Sequence, residues 1–194
     1  AWQLVWPGVH SRKFPWDDDC PQDVIELRAL LTGNIELPIK ATPGFGSNIE
    51  LWMLGSSLFG AQLAAALGLP YAFASHFAPQ MMMQAIEIYR STFRPSAQLE
   101  KPYVMLGFNV FAADTDAEAQ VLATSMQQAF VNLRSGRPSK LQPPVPGYLE
   151  SLGTAERMML DSVLSCTAIG DPAAVEAQLR AFIARAKPDE LMIT

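Results

Sequence analysis

The sequence predicts an α/β fold, in which parallel strands buried on both faces carry a cover of helices. Three observations lead there. From Ile49 onward, short apolar segments alternate with longer segments of helical period. The apolar segments, such as Tyr71-Ala72-Phe73-Ala74, lack the polar alternation of a half-solvated strand. Glycine or proline breaks separate the two kinds of segment, as at Gly68-Leu69-Pro70. About four strand–helix units follow one another, the last without its helix. A complete (β/α)8 barrel takes about 250 residues. The chain has 194 and does not begin with Met, so a fragment is expected.

Each element has a local reason. Residues 1–20 hold Trp2, Trp6, Trp16 and the acidic run Asp17-Asp18-Asp19 with no period of 2 or 3.6. They are expected to be irregular and to stand apart from the domain proper, 21–194. Pro21 suits the first turn of a helix whose apolar face is Val24, Leu27, Leu30 and Leu31, closed by Gly33-Asn34. An edge strand within 35–43 and a loop over 43–48 follow. The regular part is then a strand at 49–54, the turn Gly55-Ser56-Ser57, an Ala-rich helix at 58–67 and a strand at 71–75. A helix at 79–93, a longer strand at 103–111 and a helix at 116–133, capped by Asp114 or Thr115, come next. A proline-rich loop at 136–147 leads to a helix near 154–164 and an extended piece at 166–169. Asp171-Pro172 opens a helix to about residue 186, and 190–193 is a final strand.

Composition removes several classes of function. The chain is 49% apolar and 17% charged, enough to bury a core. Its net charge is −5 with no basic cluster, which argues against nucleic acid or an anionic membrane surface as partner. The apolar run 51–74 is interrupted by Gly55, Ser56, Ser57, Gly60, Gln62, Gly68 and Pro70, so no membrane span is expected. Cys20 and Cys166 stand far apart without a CxxC pattern, and Asp114, Asp116 and Glu118 fit a helix start better than an oxygen cage. No metal site is expected. Residues 1–10 lack a secretory pattern, which makes the cytoplasm the default compartment.

Chemistry concentrates in three places. In Leu54-Gly55-Ser56-Ser57-Leu58-Phe59-Gly60 a strand end passes through small residues into a helix. Such a turn is either an ordinary Ser cap or an anion site, where free helix amides and hydroxyls meet a phosphate. His76 follows the strand 71–75, at the rim where barrel enzymes place their sites. It is either a structural histidine or a pocket residue. A general-base role has no partner carboxylate near it in sequence. Asn109, polar within an apolar strand, either faces the pocket or bonds a neighbouring loop. Met81-Met82-Met83 suits core packing.

The run from Leu54-Gly55-Ser56-Ser57 through Gly68-Leu69-Pro70-Tyr71-Ala72-Phe73-Ala74-Ser75-His76-Phe77 resembles the bacterial-luciferase-like flavin monooxygenases, in particular their alkanal-monooxygenase-type members. Ala112-Ala113-Asp114-Thr115-Asp116-Ala117-Glu118-Ala119 and Asp189-Glu190-Leu191-Met192-Ile193 are similar to the same group, and the resemblance spans 21–194. It implies the C-terminal half of a TIM barrel, reduced FMN supplied by a separate reductase, dioxygen, and oxidation of a small organic substrate. It also implies that Gly55, Ser56, Ser57 and Gly60 hold the flavin phosphate, although the luciferases proper carry an acidic residue in place of Ser56. His76 would then lie near the flavin ring or substrate.

Two readings follow from different classes: an FMN-dependent monooxygenase, or a non-catalytic flavin- or ligand-binding half-barrel module. In both, the inner face of the sheet, built from Trp52, Leu54, Phe73, Met105 and Met192, meets water unless a completing chain or a second copy covers it. Exposed apolar area forfeits about 25 cal/mol per Å². The chain expressed alone is therefore expected to be insoluble, molten or self-associated, which size exclusion with light scattering and near-UV circular dichroism would measure.

Overall fold

The computed structural model describes residues 20–33 and 40–194. The expected irregular segment 1–19 and most of the candidate edge strand at 35–43 lie outside the described residues. The chain divides into two compact units, 1–51 and 52–194. In the first, α1 (Cys20–Thr32) ends at Gly33, whose positive φ of 69° lets its N–H reach back to Ala29 O. The expected apolar face of α1 holds only in part. Ala29 is its buried residue, whereas Leu27 is exposed. Residues 40–43 form no strand and run into a turn.

The second unit contains β1 (Met53–Gly55), α2 (Leu58–Leu67), β2 (Tyr71–Phe73), a 3-10 turn (Pro79–Met81) and α3 (Met82–Thr92). Then come β3 (Val104–Ala112), α4 (Asp116–Arg134), α5 (Tyr148–Ser151), α6 (Thr154–Val163), β4 (Thr167–Gly170), α7 (Pro172–Ala186) and β5 (Glu190–Ile193). Every strand pair is parallel. The α/β reading stands, with parallel strands under helices as in a segment of a (β/α)8 barrel. Three expectations change in detail. The first strand starts at Met53 rather than Ile49, whose side chain is exposed. The second ends at Phe73, because Ser75 N–H turns back to Phe73 O. The one-turn helix α5 stands between the expected loop at 136–147 and the helix near 154–164, where no element was expected.

β3 is the centre of the sheet. Successive residues of a strand direct their N–H and C=O groups to opposite edges. Tyr103 O accepts from Tyr71 N, and Asn109 N donates to Cys166 O, both on the odd-numbered edge. Val104 O accepts from Asp189 N and Val110 N donates to Thr194 O, on the other edge. So β2 and β4 share one edge of β3, lower and upper, and β5 lies along the opposite edge.

Strand alternation then divides the side chains. Tyr71, Phe73, Val104, Leu106 and Phe108 face α2, α3 and α7, and pack with Ala61, Ala65, Ile86, Tyr89 and Phe182. This is the main core, reinforced where Phe108 meets Phe182 at 4.5 Å between ring centres. Phe73 therefore belongs to the helix-covered face, not to the inner face expected from sequence. Its register partners, Gly55 and Leu106, lie on that same side. Leu54, Met105 and Met192 do share the inner face, and Leu54 is 67% exposed there. A second cluster joins Phe130 and Val131 of α4 to Leu160 and Val163 of α6. Among the described residues no helix is long and apolar enough to cross a membrane.

This division of faces predicts an asymmetry between neighbours. Leu106→Ala removes a fully buried side chain and should cost about 2–5 kcal/mol. Met105→Ala, on the half-covered face, should cost less than half of that. Urea unfolding midpoints of the two variants check it, and the reverse order would invert the faces.

Candidate active site at the C-terminal ends of the strands

The turn between β1 and α2 is held by two hydrogen bonds. Ala74 N donates to Gly55 O at 2.9 Å, tying the end of β1 to the residue after β2. The buried Tyr71 hydroxyl donates to Ser57 O at 3.1 Å and fixes the entry to α2, while burial raises its pKa. A Cβ added to Gly60 would stand 3.9 Å from Gly55 Cα and 3.6 Å from the Tyr71 ring. Those are ordinary contacts, so internal packing alone does not demand glycine at either place.

Ser57 occupies the N-cap position with extended backbone (φ −130°, ψ 163°), yet its side chain makes no capping bond. Thr115 contrasts with it, accepting from Glu118 N at the start of α4. A helix begins with amides that have no partner inside the helix. At α2 these stand beside two exposed hydroxyls, Ser56 and Ser57. The arrangement suits an anion.

His76 lies three residues beyond β2, against β3. Its imidazole rests on Gly107, where a Cβ would fall 1.9 Å from Nδ1. Nδ1 is buried and has no hydrogen-bond partner, and burial lowers the pKa of the ring. Beneath it, Ser75 Oγ donates to Gly107 O at 2.7 Å. Asn109 Nδ2 donates to His76 O at 2.9 Å and to Thr167 Oγ1 at 3.2 Å. Thr194 Oγ1 donates to Asn109 Oδ1 at 2.8 Å. Asn109 is thus 2% exposed and engaged on both ends of its amide.

The structure therefore places Gly55, Ser56 and Ser57 at or just beyond the end of β1, Gly60 in the first turn of α2, His76 just beyond β2, and Asn109 in the upper half of β3, where it holds His76 O. Sequence reasoning missed Gly107, Thr167 and Thr194. A glycine inside an otherwise apolar strand is a sign of close approach by another group, and Gly107 carried that sign.

A parallel sheet under helices, with its glycine turn and polar groups gathered at the carboxyl ends of the strands, is the layout of a barrel enzyme. Comparison with known proteins gives the family. The family model described as luciferase-like monooxygenase matches residues 31–189. A luciferase-like monooxygenase of Escherichia coli (strain K12) is 46% identical over 177 residues, covering 91% of this chain and 53% of the relative. The YvbT protein of Bacillus subtilis (strain 168) is 42% identical, with 91% and 53% covered. Among solved structures, apo-MsnO8 is similar with a TM-score of 0.74 and 28% identity, over 94% of this chain and 56% of that one. The chain belongs to the luciferase-like monooxygenase family. It spans about half the length of the curated relatives it matches.

The free hydroxyl at the α2 cap makes a direct prediction. Ser57→Ala should leave stability within about 0.5 kcal/mol, whereas Thr115→Ala, which removes a capping bond, should cost about 1 kcal/mol. Thermal unfolding of both variants checks it. Equal losses would show that Ser57 caps α2 after all.

Proposed function

We propose that the chain contributes the phosphate and ring-edge half of an FMN site in a monooxygenase that uses reduced flavin and dioxygen on a small organic substrate. The observation that carries this reading is the β1–α2 turn: open helix amides, two unengaged exposed hydroxyls and two glycines on one rim. Its donors fit a phosphate dianion, which needs hydrogen bonds and a positive dipole end more than a counter-ion. Gly55, Ser56, Ser57 and Gly60 would hold that phosphate, and His76 would stand toward the isoalloxazine or substrate. Reduced flavin, delivered by a separate reductase, supplies the oxygen chemistry when bound. The chain's own residues bind, orient and exclude water.

Family membership supports oxidoreductase chemistry over the second reading, a non-catalytic flavin-binding module. The half-length match leaves both the substrate and the completing chain, or second copy, as parts of the proposal. The exposed inner-face residues Leu54 and Met192 are where such a partner would seat.

Two substitutions separate the parts of the site. Ser57→Asp sets a carboxylate against the phosphate, where like charges about 4 Å apart repel by roughly 4 kcal/mol at a near-surface dielectric. FMN should therefore weaken at least tenfold while riboflavin is nearly unchanged, as read by flavin fluorescence quenching. Equal loss of both ligands would return the turn to a plain helix cap. His76→Ala should alter turnover and leave the FMN dissociation constant within about threefold, a difference under 1 kcal/mol. A large loss of thermal stability with unchanged kinetics would mark His76 as structural.

A further inference from the structure

The bond that would carry Cβ in any other residue at position 107 carries a hydrogen in glycine, and it points at His76 Nδ1. A Cβ there would also lie 2.8 Å from Cε1 and 2.9 Å from Cγ, so the seat admits only glycine while the ring stays in place. A C–H directed at a nitrogen lone pair is mildly attractive. The same C–H directed at an N–H would be a collision, and the N–H would be a buried donor with no acceptor. The ring proton therefore belongs on Nε2.

The backbone of His76 is fixed as firmly as its ring. Asn109 grips the His76 carbonyl, and Thr194 and Thr167 hold the two ends of the Asn109 amide. The side chains set around the ring and its carbonyl, Ser75, Asn109, Thr167 and Thr194, carry no charge. The carboxylate of Glu190, at the opposite end of β5, is engaged by the Tyr103 hydroxyl.

We propose that His76 is held as an uncharged hydrogen-bond donor: Gly107 seals its Nδ1 against the sheet, Asn109 holds its backbone carbonyl, and Nε2–H is the group it offers to an oxygen or nitrogen acceptor of the molecule bound at the rim. Gly107 and Asn109 are then positioning residues that act through His76. A ring so held cannot abstract a proton, because its one basic nitrogen is covered. It orients and polarises an acceptor without changing charge. This rests on the rim being the ligand-binding face, and its test needs no flavin.

Long-range proton–nitrogen correlation spectra of the folded, nitrogen-15-histidine-labelled full-length protein should show the Nε2–H tautomer for His76, with cross-relaxation between its ring protons and Gly107 Hα. The resonances of His76 are identified by their loss in His76→Gln. The ring should titrate below the free imidazole value of about 6.5. Gly107→Ala should abolish the Gly107 contact, mix the tautomers and return the midpoint toward the free value. Asn109→Ala, which leaves the Gly107 seat intact and adds no charge, should do the same in smaller degree and serves if Gly107→Ala does not fold. A Nδ1–H tautomer in the parent chain, a midpoint at or above the free value, or spectra unmoved by Asn109→Ala would each overturn the proposal.

Discussion

The two-residue period of β3 is the constraint on which the rest of this structure depends. One edge of that strand is paired first with β2 and then with β4, and the other edge with β5. With both edges occupied, the strand cannot rotate, and alternation sends Val104, Leu106 and Phe108 to the helices and Met105, Gly107 and Asn109 to the inner face. A slip of one residue would bury Asn109 among apolar side chains and turn Phe108 to the open side. The core and the site are thus set by the same register.

Much of the architecture was legible because apolar segments, glycine breaks and caps agreed with one another. Helix α2, residues 58–67, and the strand at 190–193 occur with the boundaries that the pattern predicts. Where the reading went astray, the reason is specific. Phe73 lies in a segment buried on both sides, and an apolar strand of that kind gives no polar residue by which to tell one face from the other. Ile49 has the right residue type for a strand, but β2 pairs with only the three residues Met53–Gly55, and β1 is confined to them.

The candidate site was legible in its parts and not in its connections. Gly55, Ser56, Ser57 and His76 stand out in the chain by turn chemistry and by rarity. Asn109 is conspicuous as a polar residue in an apolar strand, but its partners lie 33, 58 and 85 residues away in sequence. No local pattern announces a bond of that separation. Gly107 was visible as a residue and silent as to what it admits, since the approach of an imidazole to a backbone is a fact of tertiary packing.

Because β4 and β5 lie on opposite edges of β3, the chain between them must pass from one side of that strand to the other, and α7 makes the passage across the helix-covered face. Phe182 on α7 and Phe108 on β3 meet at the crossing. The two rings fix the height at which the helix bridges the sheet, and with it the place where β5 can dock. Their sizes are consequently a joint property of the fold: a smaller ring at one position asks for a larger one at the other, and the pair should change together or not at all.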